Sequence, residues 1–334
     1  MIKPLVAVTG ATGRLGPYVV RELLRKGYSL RLLVRRPAEA QRLFRSAVAQ
    51  KRVTVERSDL VLATEEDLTK ALRDCSAIVH LAALVDFAQP WEAFMLANFE
   101  VTKKLVAAAR HSEVKRFVYA SSIAVYGDPN QSNISEHATL RPTTPYGWSK
   151  YFAEDAVKHS GLNYVILRPG IIYGPEVEEG FVTMAKVVAR GQARIIGRGD
   201  NRVPLVHASD VANAFGLAVS SSKASHQTFN VCGPEATQKE LLVMLAKNLR
   251  AGPVEKHTPV WLAYLAAFVD TAIRRAQGKP ARLLPDYVRV LSDDRSFSTR
   301  HLEKVLGWKA RVSPAQGIVE FVRWLNGHDR AGVP

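Results

Sequence analysis

The first 170 residues alternate short runs of aliphatic and β-branched residues with longer stretches whose apolar positions recur every three or four residues. A short apolar run bounded by turn residues reads as a buried strand, and the longer periodicity reads as a helix with one packed face. Residues 5–8 (Leu5-Val6-Ala7-Val8) are then a strand, followed by a glycine-rich turn and a helix to about Arg25. Residues 30–34, 53–55, 77–81, 116–120 and 164–167 read as the second to sixth strands, and 96–109 as a helix. Strands alternating with helices predict an α/β fold, a doubly wound parallel Rossmann sheet with ligands beyond the carboxyl ends of its strands.

After Leu167 the pattern loosens. Arg168-Pro169-Gly170 and Gly174-Pro175 act as punctuation, and residues 191–201 are rich in turn formers. A helix is predicted from about Ser209 to Val219, a strand over 228–231, and mostly helix from Gly233, with a short strand at 295–298. The expected organisation is a dinucleotide-binding domain over 1–173, with 204–232 returning to its sheet. Residues 174–203 and 233–330 would form a smaller, mostly helical substrate-binding cap.

The 334 residues carry no long apolar run. The longest, 260–273, is interrupted by Asp270 and falls short of the ~20 residues of a bilayer crossing. No secretory signal is expected, because Lys3-Pro4 leads straight into a strand. Two distant cysteines, Cys75 and Cys232, exclude a disulfide framework and fit a reducing, cytoplasmic setting. The nine histidines are scattered, without metal-ligand spacing, so no metal is expected.

The net charge of +15 is uneven. Residues 1–60 hold 13 basic and 4 acidic side chains, and residues 271–334 hold 12 and 6, whereas 61–270 are balanced. No nucleic-acid motif accompanies these basic ends, and no specific nucleic-acid partner is expected.

Gly10-Ala11-Thr12-Gly13-Arg14-Leu15-Gly16 joins the first strand to the first helix. Glycines there allow a tight turn and close backbone approach to a pyrophosphate at a helix start, where the dipole favours an anion. The second strand ends in Val34-Arg35-Arg36 instead of an acid. An acid would accept a hydrogen bond from a ribose 2′-hydroxyl, whereas a guanidinium suits a 2′-phosphate. The expected cofactor is therefore NADP(H) rather than NAD(H), with Arg35 better placed than Arg36.

Tyr146 and Lys150 are four residues apart, hence on one helix face, and follow Ser121-Ser122 at the end of the fifth strand. With the glycine loop, Ser122-Ile123-Ala124-Val125-Tyr126-Gly127 and Tyr146-Gly147-Trp148-Ser149-Lys150, the chain resembles the extended short-chain dehydrogenase/reductase family. The likeness extends to the tail through Leu306-Gly307-Trp308. It implies that Ser122, Tyr146 and Lys150 are a catalytic trio, with Lys150 expected to lower the phenol's pKa and Ser122 to hold a carbonyl oxygen. It implies further that Ser121, Asp59, Leu60, Leu81, Ala82, Ala83, Pro169, Gly170 and Ile171 line the cofactor, and that Asn98 supports the site or relays a proton.

Sugar-nucleotide epimerases of this family commonly carry an asparagine where this chain has isoleucine, in Arg168-Pro169-Gly170-Ile171-Ile172-Tyr173-Gly174-Pro175. The segment looks more like the 3β-hydroxysteroid dehydrogenase and dihydroflavonol reductase branch, as does 203–212. That likeness implies a bulky apolar ketone or alcohol, with Phe87, Trp148, Tyr173 and Phe181 as candidate pocket residues. A sugar-nucleotide epimerase with tightly bound NAD(P), and a non-catalytic nucleotide-sensing or RNA-binding relative, stand as alternatives. Residues 259–275, apolar and ending in Arg274-Arg275, leave three roles open: packing in the cap, a lid over substrate, or a helix resting on lipid. A homodimer is common in the family.

Overall fold

The computed structural model describes residues 4–86, 88–127, 131–177, 180–277 and 285–329. Seven parallel strands form the central sheet: β1 (Leu5–Thr9), β2 (Ser29–Val34), β3 (Val53–Arg57), β4 (Cys75–His80), β5 (Arg116–Ala120), β6 (Tyr164–Pro169) and β7 (Gln227–Val231). Their spatial order is β7-β6-β5-β4-β1-β2-β3. The order reverses between β1 and β4, and that is where a crevice opens at the carboxyl edge of such a sheet.

The period-2 geometry of a strand sends alternate residues to opposite faces. Val6 and Val8 of β1 enter one core with Leu30, Leu32 and Val79; Ala7 enters the other with Leu33, Ile78 and Phe117. Helices α1 (Gly16–Arg25), α2 (Val101–His111), α3 (Pro145–Lys158) and α4 (Ala208–Ser220) cover these faces. Val19, Val20 and Leu23 of α1 join Val211 and Phe215 of α4 in the first core. Leu105 of α2 and Ala153 and Val157 of α3 fill the second. Each large aliphatic side chain removed from water contributes roughly 1.5–3 kcal/mol, which explains why both faces are continuously apolar.

A third core holds residues from 171 to 325, built around α5 (Gln238–Leu249) and the last helix, Pro314–Asp329. Ile171–Tyr173 pairs with Leu205–His207 in a separate two-stranded sheet, so only β7 of the predicted returning segment joins the central sheet. Two helices, α6 (Val260–Ala276) and α7 (Pro285–Ser292), lie against each other beyond this core. Trp308 is buried and donates from Nε1 to the Asp210 carbonyl at 3.0 Å, which ties the tail to α4.

Two sequence expectations need correction. Residues 295–298 form no strand: Ser296 and Ser298 bond to the segment 131–134, which gives a single bridge from Phe297 to Ile134, while Arg295 N–H turns to the Arg202 carbonyl. The helix expected over 96–109 begins as a wider π-type turn at Met95–Glu100 before α2 continues it. Among the described residues, no helix is long and apolar enough to cross a membrane.

Candidate active site

The carboxyl edge of the sheet borders a cavity of about 670 Å³. Gly10, Thr12, Gly13, Arg14, Leu15 and Gly16 form one wall, between β1 and α1. The turn is closed by Gly13 N–H to Gly10 O at 3.0 Å and Gly16 N–H to Gly13 O at 3.1 Å. Gly10 has φ of +71°, and a Cβ there would stand 2.6 Å from the Ala82 nitrogen. A Cβ on Gly16 would collide with the carbonyl oxygens of Gly10 and Ala11. No residue with a side chain fits either position, so the turn can pack this tightly on itself and on the segment after β4 only with glycine there.

Arg35 and Arg36 follow β2 and lie at the cavity's far end with Asp59 and Leu60. Arg36 is engaged with Glu39 at 2.9 Å, while Arg35 makes no ion pair with a described residue. Leu81, Ala82 and Ala83 continue from β4; Ser121 and Ser122 from β5; Pro169, Gly170 and Ile171 from β6. All nineteen residues expected around the cofactor therefore line one cavity.

Helix α3 brings the phenol and the ammonium into the same wall. Thr144 caps it by accepting a 3.0 Å hydrogen bond from Gly147 N–H, and Pro145 at the first helical position suits a φ already fixed for helix. Tyr146 thus sits in the first turn and Lys150 one turn on. The Tyr146 phenol and the Ser122 hydroxyl share the cavity wall, and Ser122 Oγ accepts from Ala124 N–H at 3.2 Å. Lys150 is buried, and its Nζ donates to the Ala120 carbonyl at 2.8 Å.

Burial pushes Tyr146 up to about 12, with the nearby Ser122 hydroxyl acting the other way. Burial pulls Lys150 down to about 7 against the opposing charge of Glu154. Among the protein's own groups the expected lowering of the phenol by Lys150 is thus overridden. The ammonium lies 5.9 Å from the Tyr146 ring centroid and is engaged by Ala120, so desolvation dominates.

Beneath the cavity runs a network that the sequence reading missed. Glu154, fully buried, accepts from Arg168 Nε at 2.8 Å and Nη2 at 2.6 Å, and from Ser121 Oγ at 2.5 Å. Arg168 Nη1 donates to Tyr126 Oη at 2.7 Å, and Tyr126 donates to Asn230 Oδ1 at 2.7 Å. The i, i+4 spacing from Lys150 to Glu154 was the available signal.

Other candidates lie elsewhere. Asn98 does not line the cavity: its Oδ1 accepts from Leu84 N–H at 2.7 Å, and its Nδ2 donates to Leu84 O at 3.0 Å and Ser149 Oγ at 2.9 Å. With every side-chain polar atom engaged, it pins the cavity-lining loop after β4 to α3. Tyr173 and Phe181 stack on each other at 5.5 Å in the third core, because their neighbours Phe321 and Ala185 offer apolar burial there. Trp148 stacks on Phe152 at 5.6 Å on the α3 face away from the cavity. None of these three is a pocket residue, and Phe87 lies outside the described residues. Two unforeseen cations do line the cavity: Arg289 of α7, donating to Thr143 Oγ1 at 2.9 Å, and Arg295, donating to Gly127 O at 3.1 Å. No motif surrounds either in the sequence.

A doubly wound sheet, a glycine turn at its switch point and a tyrosine–lysine pair beside the fifth strand define an extended short-chain dehydrogenase/reductase type enzyme. The chain belongs to the NAD dependent epimerase/dehydratase family, whose model matches residues 6–232. It is 27% identical over 344 residues to a UDP-glucose 4-epimerase of Vibrio cholerae, covering 97% of each chain. It is 26% identical over 336 residues to a 2-alkyl-3-oxoalkanoate reductase of Shewanella oneidensis, covering 93% of this chain and 84% of that one. The fold also matches a UDP-glucuronic acid 4-epimerase from Bacillus cereus in complex with NAD, with a TM-score of 0.77, 20% identity and 97% and 99% of the two chains covered.

Proposed function

We propose that the protein interconverts a ketone and a secondary alcohol on a bulky, largely apolar substrate, using NADP(H). The observation that carries this reading is the placement of Ser122 and Tyr146 together on the wall of the glycine-lined cavity, with Lys150 buried one turn behind the phenol. A dinucleotide fits the residues present: the glycine turn of residues 10–16 forms one wall of a cavity of about 670 Å³ that continues from that loop to the phenol. When bound, the reduced nicotinamide supplies the hydride for the substrate carbon.

The remaining chemistry belongs to this chain. Ser122 and Tyr146 would hold the carbonyl oxygen, with Tyr146 Oη giving its proton as negative charge develops there. The phenolate left behind is costly in so buried a place, and a protonated Lys150 nearby offsets part of that cost before solvent restores the proton. In the oxidative direction Tyr146 accepts the proton instead. Arg35 would pair with a 2′-phosphate, and the loop of residues 10–16 with the pyrophosphate.

The apolar character of the substrate is supported by Ile171 and Ile172 on the cavity wall, where many sugar-nucleotide enzymes of the resembled family carry an amide. The relative named for reducing a 2-alkyl-3-oxoalkanoate gives a precedent of that chemical class. A reducing cytoplasmic location is part of the proposal, and both cysteines are free and buried.

A second reading, a sugar-nucleotide epimerase, is favoured by Arg289 and Arg295, whose two guanidinium groups on the cavity wall suit a diphosphate. The two separate in one assay. A reductase consumes NADPH stoichiometrically with apolar ketones, whereas an epimerase converts UDP-sugars with no net change in cofactor. Absence of NADPH oxidation across a ketone panel, with turnover of a UDP-sugar, would overturn the first reading.

A further inference from the structure

Helix α6 turns its large apolar side chains away from the protein. Trp261 is 68% exposed, Phe268 59%, Leu265 52% and Ile273 51%, and Leu262 and Val269 are exposed too. The residues it buries are Ala263 and Ala267, which pack against Val288 of α7 and the half-buried Ile196. At 100° per residue the six large apolar positions span about 140° of the helix circumference. Asp270, Thr271 and Arg274 occupy the opposite sector with the two alanines, leaving no acid in the outward stripe. Single exposed aliphatics are ordinary on a protein surface; six on one helix face mark a contact.

The chain around the stripe is basic. Residues 250–277 hold four basic and two acidic side chains, a net +2. Arg274 and Arg275 end the helix. At its entry, exposed Arg194 donates to Thr258 Oγ1 at 2.7 Å and to the His257 carbonyl at 3.1 Å, holding a cation beside Lys256. A helix of 17 residues is about 25 Å long, and with its polar sector packed on the protein it can lie along an interface but not cross one.

We propose that α6 seats its outward stripe in the surface of an anionic lipid bilayer, with Trp261, Leu265 and Phe268 entering the acyl boundary and the flanking arginines and lysine meeting headgroup phosphates. An apolar sector with no acid, framed by cations at both ends, matches an anionic lipid surface better than a neutral or basic protein partner. Because the inward side of α6 packs on α7, which carries cavity-lining Arg289, the docked helix is one element away from the candidate active site. The inference does not depend on which substrate the cavity takes.

Co-sedimentation of the full chain with phosphatidylcholine vesicles, with and without phosphatidylglycerol, tests it. The expected result is pelleting with the anionic vesicles, weakened by added salt, and a blue-shifted tryptophan emission. The double variant Trp261→Glu/Phe268→Glu should partition more than about tenfold less, since each lost apolar burial is comparable to a tenfold step. Both positions are exposed, so NADPH affinity should be retained as a measure of folding, and the milder Phe268→Ser should lose a part of the binding. Three results would overturn the proposal: wild type remaining in the supernatant with both vesicle types, the double variant pelleting as well as wild type, or a wild-type dimer that the variant dissolves without any vesicle binding.

Discussion

The ammonium of Lys150 is fastened to the carbonyl oxygen of Ala120 by a 2.8 Å hydrogen bond, which locks the first two turns of α3 against the end of β5. Ser122 lies two residues beyond Ala120 and Tyr146 one turn before Lys150, so this bond fixes the segments that carry both hydroxyls relative to each other. Lys150 is consequently a charge source and a structural clamp at once.

That double role gives a pH dependence. Burial, opposed by Glu154, holds Lys150 down to about 7, so it loses its proton as pH rises through that value. The phenolate formed during reduction is then left without a neighbouring cation, and the reductive rate should fall on the alkaline side of about 7. Lys150→Arg, whose charge persists, should move this limb upward while lowering the maximal rate, because the longer planar group cannot repeat the Ala120 bond. A pH profile of kcat for both proteins checks it; coincident alkaline limbs would remove Lys150 from the titration.

Cofactor preference should reside at the end of β2. Arg35→Asp replaces a partner for a 2′-phosphate with an acceptor for a 2′-hydroxyl, and should shift the ratio of kcat/KM for NADPH over NADH by about 10- to 100-fold toward NADH. Arg36→Ala should do less, since Arg36 is already engaged by Glu39. Steady-state kinetics with both cofactors measures the ratios.

The Glu154–Arg168 pair should make stability sensitive to acid. Burial alone would raise the Glu154 carboxyl, but hydrogen bonds and charge from Arg168 hold it below the usual carboxylate range. A folded pKa below the unfolded one contributes stability that is present above about pH 4.5 and lost as pH falls through the folded value. Glu154→Gln leaves a buried guanidinium uncompensated, which costs about 3–5 kcal/mol at neutral pH. Urea denaturation at pH 7 and pH 4 should show the variant destabilised and its pH slope flattened.

Asn98 should behave as a positioning residue. Asn98→Ala strands the Leu84 backbone groups and Ser149, a loss of about 1–3 kcal/mol per unsatisfied buried group. The loop it pins lines the cofactor wall, so KM for NADPH should rise more than kcat falls. A kcat loss as deep as that of Tyr146→Phe, with KM unchanged, would instead return Asn98 to the chemistry.

What the sequence discloses about this fold follows the range of its interactions. The seven strands of the central sheet and the cofactor wall are legible because each segment, such as residues 10–16 or Ser121-Ser122, is local and lies in or directly after a strand. Tyr173 and Phe181 mislead because an aromatic in a loosely patterned stretch gives no sign of which side it packs on, and Phe321, from 140 residues further on, decides it. Arg289 reaches the cavity through the packing of α7 and Arg295 through the loop that follows it, and no nearby motif signals either. In α6 the apolar stripe is visible in the sequence, but periodicity does not tell an inward stripe from an outward one.

The most direct measurement of the central claim is single-turnover reduction of an apolar ketone by enzyme pre-loaded with NADPH, comparing wild type with Tyr146→Phe. Removing a general acid should slow the step by about 100- to 10,000-fold while the Kd for NADPH changes less than about threefold. A variant that transfers at the wild-type rate, with NADPH still bound, would contradict the assignment of the phenol as the proton donor.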